Sequence, residues 1–340
     1  MPTINDGSKH FQAVTYTGNG STNTITGFSF QPDFVWIKGR SGATDHAIYD
    51  AVRGTTLDLA SNTTAAETTQ STGLTAFNST GFTLGALSKV NTNGATYVAW
   101  GWKGGNGTVS NTSGSITSTV SANTSAGFSV VTYNATGANA TFGHGLGVAP
   151  SMVFIKKRSG GTARAWQVYH SSLGNGGGLY LNQTDAYTTD AAAFNNTSPT
   201  STTFSIGTSI YVNEGTSPYV AYCFAPVSSF SAFGSFVGNG SSDGPMVFTN
   251  FRARYLLVKA SSTTGDWVVI DTSRSPYNVS ADALYANGNF AEDNNVTNRS
   301  VDFLSNGFKI RSSGTFINTS GATYIYAAFA ENPFKYSRAR

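Results

Sequence analysis

Among 340 residues there is a single cysteine, Cys223. No intrachain disulfide can form, so stability has to come from packing. Cys223 sits in the apolar run Tyr219-Val220-Ala221-Tyr222-Cys223-Phe224 and reads as a small buried hydrophobe. Charge is also sparse, at 11% of residues, with 20 Lys and Arg against 17 Asp and Glu. Basic residues cluster only at Lys156-Lys157-Arg158 and from Lys335 to Arg340. Nucleic-acid binding needs a concentrated basic footprint, so no nucleic-acid partner is expected. No apolar run approaches the roughly 18 residues of a membrane-spanning helix, and no membrane insertion is expected. The Ala/Glu/Lys/Leu/Arg excess of coiled coils is missing. Residues Met1 to Asp6 lack the basic flank and apolar stretch of a secretory signal.

What fills the chain instead is Gly, Ser, Thr and Asn, about 45% of it, together with 23 Phe, 16 Tyr and 5 Trp. Disordered chains are poor in aromatics, so this one folds. Abundant turn residues between short β-branched and aromatic runs predict an all-β protein.

Those runs recur. Phe34-Val35-Trp36-Ile37-Lys38, Val153-Phe154-Ile155-Lys156 and Leu256-Leu257-Val258-Lys259 each end in lysine, at intervals of about 110 residues. A second landmark keeps the same period: Tyr97-Val98-Ala99-Trp100, Tyr219-Val220-Ala221-Tyr222 and Tyr324-Ile325-Tyr326-Ala327. Between them lie Ile48-Tyr49-Asp50, Val168-Tyr169-His170 and Val269-Ile270-Asp271, followed by Leu57-Asp58-Leu59, Leu179-Tyr180-Leu181 and Leu284-Tyr285-Ala286. The pattern predicts three tandem jelly-roll or β-sandwich-like repeats of about 100 residues. They are placed at 11–105, 127–227 and 228–334. An N-terminal docking arm (1–10), a Gly/Ser/Thr/Asn-rich connection (106–126) and a basic tail (335–340) flank or join them. The connection contains Ser115-Ile116-Thr117-Ser118-Thr119-Val120, which has strand character. Apolar residues at both parities of the lysine strands place those strands centrally in a sandwich or between packed domains.

Thr17-Gly18-Asn19-Gly20-Ser21-Thr22, Gln31-Pro32-Asp33-Phe34-Val35-Trp36-Ile37-Lys38, Gly81-Phe82-Thr83-Leu84 and Tyr97-Val98-Ala99-Trp100 together resemble a β-rich domain of unknown function. That domain is found in structural and tail-fibre-like proteins of marine bacteriophages, including viruses of cyanobacteria. The likeness runs from about residue 11 to 334, with Ser171-Ser172-Leu173-Gly174 and Phe303-Leu304-Ser305-Asn306-Gly307 among its later motifs. It implies a place in a virion, assembled from protein made in the bacterial cytoplasm, and a structural or adhesive role without an established active site. The chain lacks the collagen-like, coiled-coil or β-helical stalk of a long fibre.

His10, His46, His144 and His170 form no metal-ligand spacing, and no cofactor is expected. Asp50 and Asp271 each precede an arginine by three residues, Arg53 and Arg274, whereas the second repeat has His170 and Leu173. The plain account is an ion pair tying a strand end to its loop; the sharper one is a carboxylate pair for glycoside hydrolysis. Asp243 and Asp293 are weak candidates for a bridging calcium. Trp36 and Trp100 read as core, whereas Trp166 and Trp267 are candidate stacking platforms for a host-surface glycan. Lys38, Lys156 and Lys259 read as surface lysines that guard a strand end. His10, Phe11, Tyr336, Arg338 and Arg340 are candidates for docking on another virion protein. The resulting expectation is a non-enzymatic, homo-oligomeric virion protein, first a tail-associated fibre or adhesion component. A capsid decoration or head-fibre protein is the alternative, and a glycan-degrading virion enzyme the third.

Overall fold

The computed structural model describes residues 4–330. The protein is all-β, and among the described residues no helix exceeds four residues. Three large antiparallel sheets dominate. The first runs, in hydrogen-bonded order, Phe11–Thr17, Thr96–Trp102, Phe34–Gly39, Ala47–Asp50, Gly54–Leu59 and Thr68–Thr69. The third has the same order of six: Ser231–Val237, Thr323–Phe329, Tyr255–Ala260, Trp267–Asp271, Asp282–Tyr285 and Asp293–Asn294. The second repeats that order as Phe128–Asn134, Pro218–Phe224, Met152–Lys157, Gln167–His170, Gly174–Tyr180 and Thr188–Thr189, and adds two strands at its edge. These are Val109–Asn111 and Ser118–Asn123, from the stretch read as a connection. Part of that stretch therefore belongs to the second sheet.

Each large sheet has a small sheet across one face: Asn23–Thr26 with Gly81–Leu84 and Leu74–Asn78, then Ala140–Gly143 with Thr203–Ile206, then Met246–Phe248 with Gly307–Ile310 and Val301–Leu304. Three private cores lie inside these pairs, around Phe82 and Tyr97 in the first, Phe142 and Tyr219 in the second, and Phe308 and Tyr324 in the third. The opposite faces of the three large sheets meet in one shared core. It collects Trp36, Trp100 and Trp102 from the first sheet, Phe128, Phe154 and Phe224 from the second, and Tyr255, Leu257 and Phe329 from the third. This two-sided burial explains why Phe34–Gly39, Met152–Lys157 and Tyr255–Ala260 are buried at every position. Alternate residues serve the private core and the shared one.

Strand register fixes which positions correspond. Trp36 opposes Trp100, Phe154 opposes Tyr222 and Leu257 opposes Ala327. Ile48 opposes Leu59, Val168 opposes Leu179 and Val269 opposes Leu284. The landmark Leu57-Asp58-Leu59 thus aligns through Leu59 rather than Leu57. The sequence alignment slips there by two residues, a shift that keeps the same face of a strand and so escapes any hydrophobic pattern. In the shared core, Ala327 stands where the other sheets carry Trp100 and Tyr222. Beside it is an apolar cavity of about 10 Å³, lined in part by Trp36, Trp102, Phe154, Phe224 and Phe329.

The beginning of the chain packs onto the chain itself. Ile4 is buried in the shared core and Asp6 caps a short 3-10 turn, Gly7–Lys9, by accepting from the Ser8 amide. Phe11 is fully buried, with its ring 4.7 Å from Trp102 and 5.4 Å from Phe329. His10 is half-buried, and its Nδ1 lies 3.1 Å from Nδ2 of Asn123. The described part of the expected docking arm is therefore a structural segment, and Phe11 is not available to a partner. Tyr336, Arg338 and Arg340 lie outside the described residues.

Candidate functional site

The chemistry-bearing side chains gather at three seams, where one sheet pair meets the next. Corresponding positions make corresponding contacts. Trp166 Nε1 donates to the carbonyl of Ala60, Trp267 Nε1 to that of Tyr180, and His46 Nε2 lies 2.8 Å from that of Tyr285. The second pair thus grips the first, the third grips the second, and the first grips the third, so the contacts close a ring. Backbone bonds repeat the cycle: the Glu67 amide donates to Arg158 O, Tyr187 to Ser261 O, and Glu292 to Arg40 O, all at 2.8 Å.

This places the two candidate glycan platforms. Trp166 and Trp267 are 0% and 1% exposed, and each indole N–H is spent on the neighbouring pair. Neither ring offers a face to a ligand. An indole donor within a large apolar body suits a buried seam for the same reasons that suit it to a sugar, and the sequence carries no mark to separate the two.

The recurring lysines are likewise inside. Lys38, Lys156 and Lys259 are each 0% exposed. Lys156 Nζ donates to Thr64 O across a seam and also bonds Arg164 O; Lys259 Nζ donates to Thr184 O and Asp185 O across the next; Lys38 Nζ donates to Gly39 O. Burial lowers all three ammonium pKa values, to about 7 for Lys156, with Lys157 adding to the effect, and to about 8 for Lys38 and Lys259, where Asp45 and Asp185 oppose it. They guard no exposed strand end. Each lysine strand ends at a seam rather than at solvent, which the local pattern does not reveal.

Asp50 and Asp271 form the anticipated ion pairs, with Arg53 and Arg274, at 0% side-chain exposure. Each carboxylate also takes a donor from another sheet pair: Tyr222 Oη reaches Asp50 Oδ2 at 2.7 Å, and Trp100 Nε1 reaches Asp271 Oδ2 at 2.9 Å. A second acid extends each pair. Glu67 bridges Arg53 and Arg158, while Glu292 bridges Arg274 and Arg40. Burial alone would raise these two glutamates, but their arginines outweigh it and hold both below the ordinary range. Each carboxylate is thus held by arginine, in a network that fastens sheets together.

The third seam uses other groups. Ala327 offers no donor, and the position of Asp50 and Asp271 is held by His170. His170 Nδ1 accepts from the Ser172 amide, leaving Nε2–H to donate to Tyr326 O at 3.2 Å. Where the ring donor is missing, so is the acid that would need it, and so is the arginine, replaced by Leu173. An unpaired buried carboxylate would be costly, and a neutral imidazole avoids it.

A further set was missed in the sequence. Asn91, Asn213 and Asn318 are buried and each brace the turn after the first strand of their pair. Asn91 Nδ2 donates to Ser21 O and Gly85 O while its Oδ1 accepts from the Asn19 amide. Asn318 repeats this with Ser241 O, Ser312 O and the Asn239 amide. Asn213 bonds Ala138 O and Gly207 O and accepts from the Thr136 amide. The turn tips above them, such as Asn19 to Thr22 and Asn239 to Ser242, are exposed. Each asparagine stands six residues before the tyrosine that opens the closing strand, a recurrence that could have singled it out.

Among the described residues no group of three or more His, Cys, Asp and Glu gathers as a metal site would require. Asp243 pairs with Lys309 at 2.8 Å and Asp293 pairs with Arg299. His144 is held within the second pair, its Nδ1 accepting from the Leu146 amide.

A family model described as a domain of unknown function, DUF7483, matches residues 6–333, a single match across all three sheet pairs. The chain belongs to this family. No curated protein and no solved structure matches it. One model over the whole span agrees with a shared core that no sheet pair owns.

Proposed function

We propose that this chain is a structural protein of a bacteriophage virion, a tail-associated component that holds polar loops toward the host surface. The observation that carries the reading is the ring of seams: three sheet pairs, which we take to be copies of one unit, are locked to one another by buried polar contacts. Such a body has its side-chain chemistry invested in rigidity. The exposed turn tips, braced from below by Asn91, Asn213 and Asn318, are the parts free to meet other virion proteins or a host glycan. The resemblance of the strand and turn motifs to phage structural proteins supports the same reading.

Copy number and position in purified particles, from quantitative mass spectrometry with subtomogram averaging, test it. A small multiple of three or six at the tail is the expected result. Hundreds of copies on the head would overturn the tail assignment in favour of capsid decoration, and absence from the particle would overturn both.

A further inference from the structure

His46 and His170 stand at the two seams that hold the third sheet pair; at the corresponding positions of the seam between the first and second stand Trp166 and Asp50, and the half-buried His10 meets Asn123 there instead. His46, in the first pair, faces Tyr285 O; His170, in the second, faces Tyr326 O. Both acceptors belong to the third pair. The corresponding contacts of the first–second seam are made by Trp166 and Tyr222, which do not take up protons.

Both imidazoles are locked in one neutral tautomer. His46 Nδ1 accepts from Trp36 Nε1 at 2.7 Å and His170 Nδ1 accepts from the Ser172 amide at 3.2 Å. Each Nδ1 is thus occupied by an N–H donor, and each Nε2–H points at a carbonyl. A second proton could enter only at Nδ1, where it would meet the donor hydrogen head on. The donors facing Nδ1 belong to the histidine's own sheet pair, so a second proton costs that bond and buries a charge, whereas a ring freed from its seam carbonyl can turn away from the donor and into water. Both rings are 0% exposed. Lys38 and Lys89 are the charged groups acting on His46, and both disfavour the cation; for His170 burial disfavours it and the bond to Tyr326 O opposes that, with no charged group acting among the described residues.

We propose that mild acid releases the third sheet pair from the other two, with His46 and His170 as the groups that take up the protons. Burial, with Lys38 adding to it for His46, lowers the two pKa values to about 3 and about 4. A freed imidazole titrates near its ordinary value of about 6.5. The folded pKa is the lower one, so the stabilisation is complete above that ordinary value and declines as pH falls below it. Going from pH 7 to 5, each histidine favours the released form by about 25-fold, and the two together by about 600-fold. Glu67 and Glu292, held below the ordinary carboxylate range, stay ionised over this interval.

Single amides that bond across the seams report the outcome. Thr44 to Asn289 O and Glu292 to Arg40 O cross one; Tyr187 to Ser261 O and Gly265 to Thr184 O cross the other; Glu67 to Arg158 O crosses the first–second seam. Hydrogen exchange of the full chain at pH 7 and 5, corrected for the intrinsic pH dependence of exchange, gives an opening constant for each. The expected result is a rise of at least about 25-fold at Thr44, Glu292, Tyr187 and Gly265, with Glu67 changed less than about threefold. Equal constants at the two pH values, or a matching rise at Glu67, would overturn the proposal. In the double variant His46→Gln with His170→Gln the pH dependence should vanish; its persistence would also overturn it. Should that variant not fold, the wild-type comparison of the five amides decides alone.

Discussion

Tyr222 and Asp50 belong to different sheet pairs, 172 residues apart in sequence, and share a 2.7 Å hydrogen bond inside the protein. The tyrosine is the second pair's contribution to an ion pair that the first pair cannot fully satisfy. Trp100 does the same for Asp271. Seam and ion pair are therefore one structure.

Tyr222→Phe should destabilise the chain by about 1.5–3 kcal/mol, the range for a hydrogen bond to a charged group. Asp50→Ala should cost more, about 3–5 kcal/mol, because it leaves Arg53 buried with only Glu67 as counter-ion. The double variant should cost less than the sum. His170→Asp should destabilise strongly, since Leu173 and Ala327 give the new carboxylate neither arginine nor ring donor. Urea denaturation of the four proteins checks all of this.

Stability should rise with pH between about 7 and 9. Lys38, Lys156 and Lys259 have folded pKa values lowered by burial to about 7 or 8, so over this range the unfolded chain binds more protons than the folded one. Raising the pH removes that preference for the unfolded state. Above about 10 the trend reverses, as buried tyrosines such as Tyr222 and Tyr133, their pKa raised by burial, ionise only on unfolding. Thermal melts across this range should show the climb, and Lys156→Met should flatten it.

All five tryptophans are at most 3% exposed. Their fluorescence should be blue-shifted and inaccessible to iodide until the protein unfolds, and glycans added to the folded chain should leave it unchanged. Trp166→Phe keeps the ring packing but loses the bond to Ala60 O, and should cost about 1–2 kcal/mol in denaturant titrations.

Replacing Asn91 by alanine should cost about 2–4 kcal/mol, because several backbone groups of the turn lose their partner together. Exchange of the Asn19 amide should accelerate, while that of the corresponding Asn239 amide in the third pair should not.

The strands were legible because β-branched and aromatic runs between Gly/Asn turns have no other reading. The burial of both faces of the lysine strands was legible too, from apolar residues at both parities. What lay at the ends of those strands was not. A lysine after an apolar run marks solvent in an isolated sandwich, and only the packing of three sheets turns it inward. Trp166 and Trp267 failed similarly, since a seam and a sugar ask the same of an indole. Asn91, Asn213 and Asn318 were hidden by abundance, among 28 asparagines, most of them read as turn formers. The exchange of Asp50 and Arg53 for His170 and Leu173 was visible as a break in the pattern. Its cause, Ala327, lay more than 150 residues away.

The rings of Phe11 and Phe329 are 5.4 Å apart, although one opens the first large sheet and the other closes the third. Spatially the molecule is a closed circuit, and its linear order is one of several ways of cutting that circuit. A gene rearranged to begin at the second or third sheet pair, with the original ends joined, would encode the same circuit of contacts.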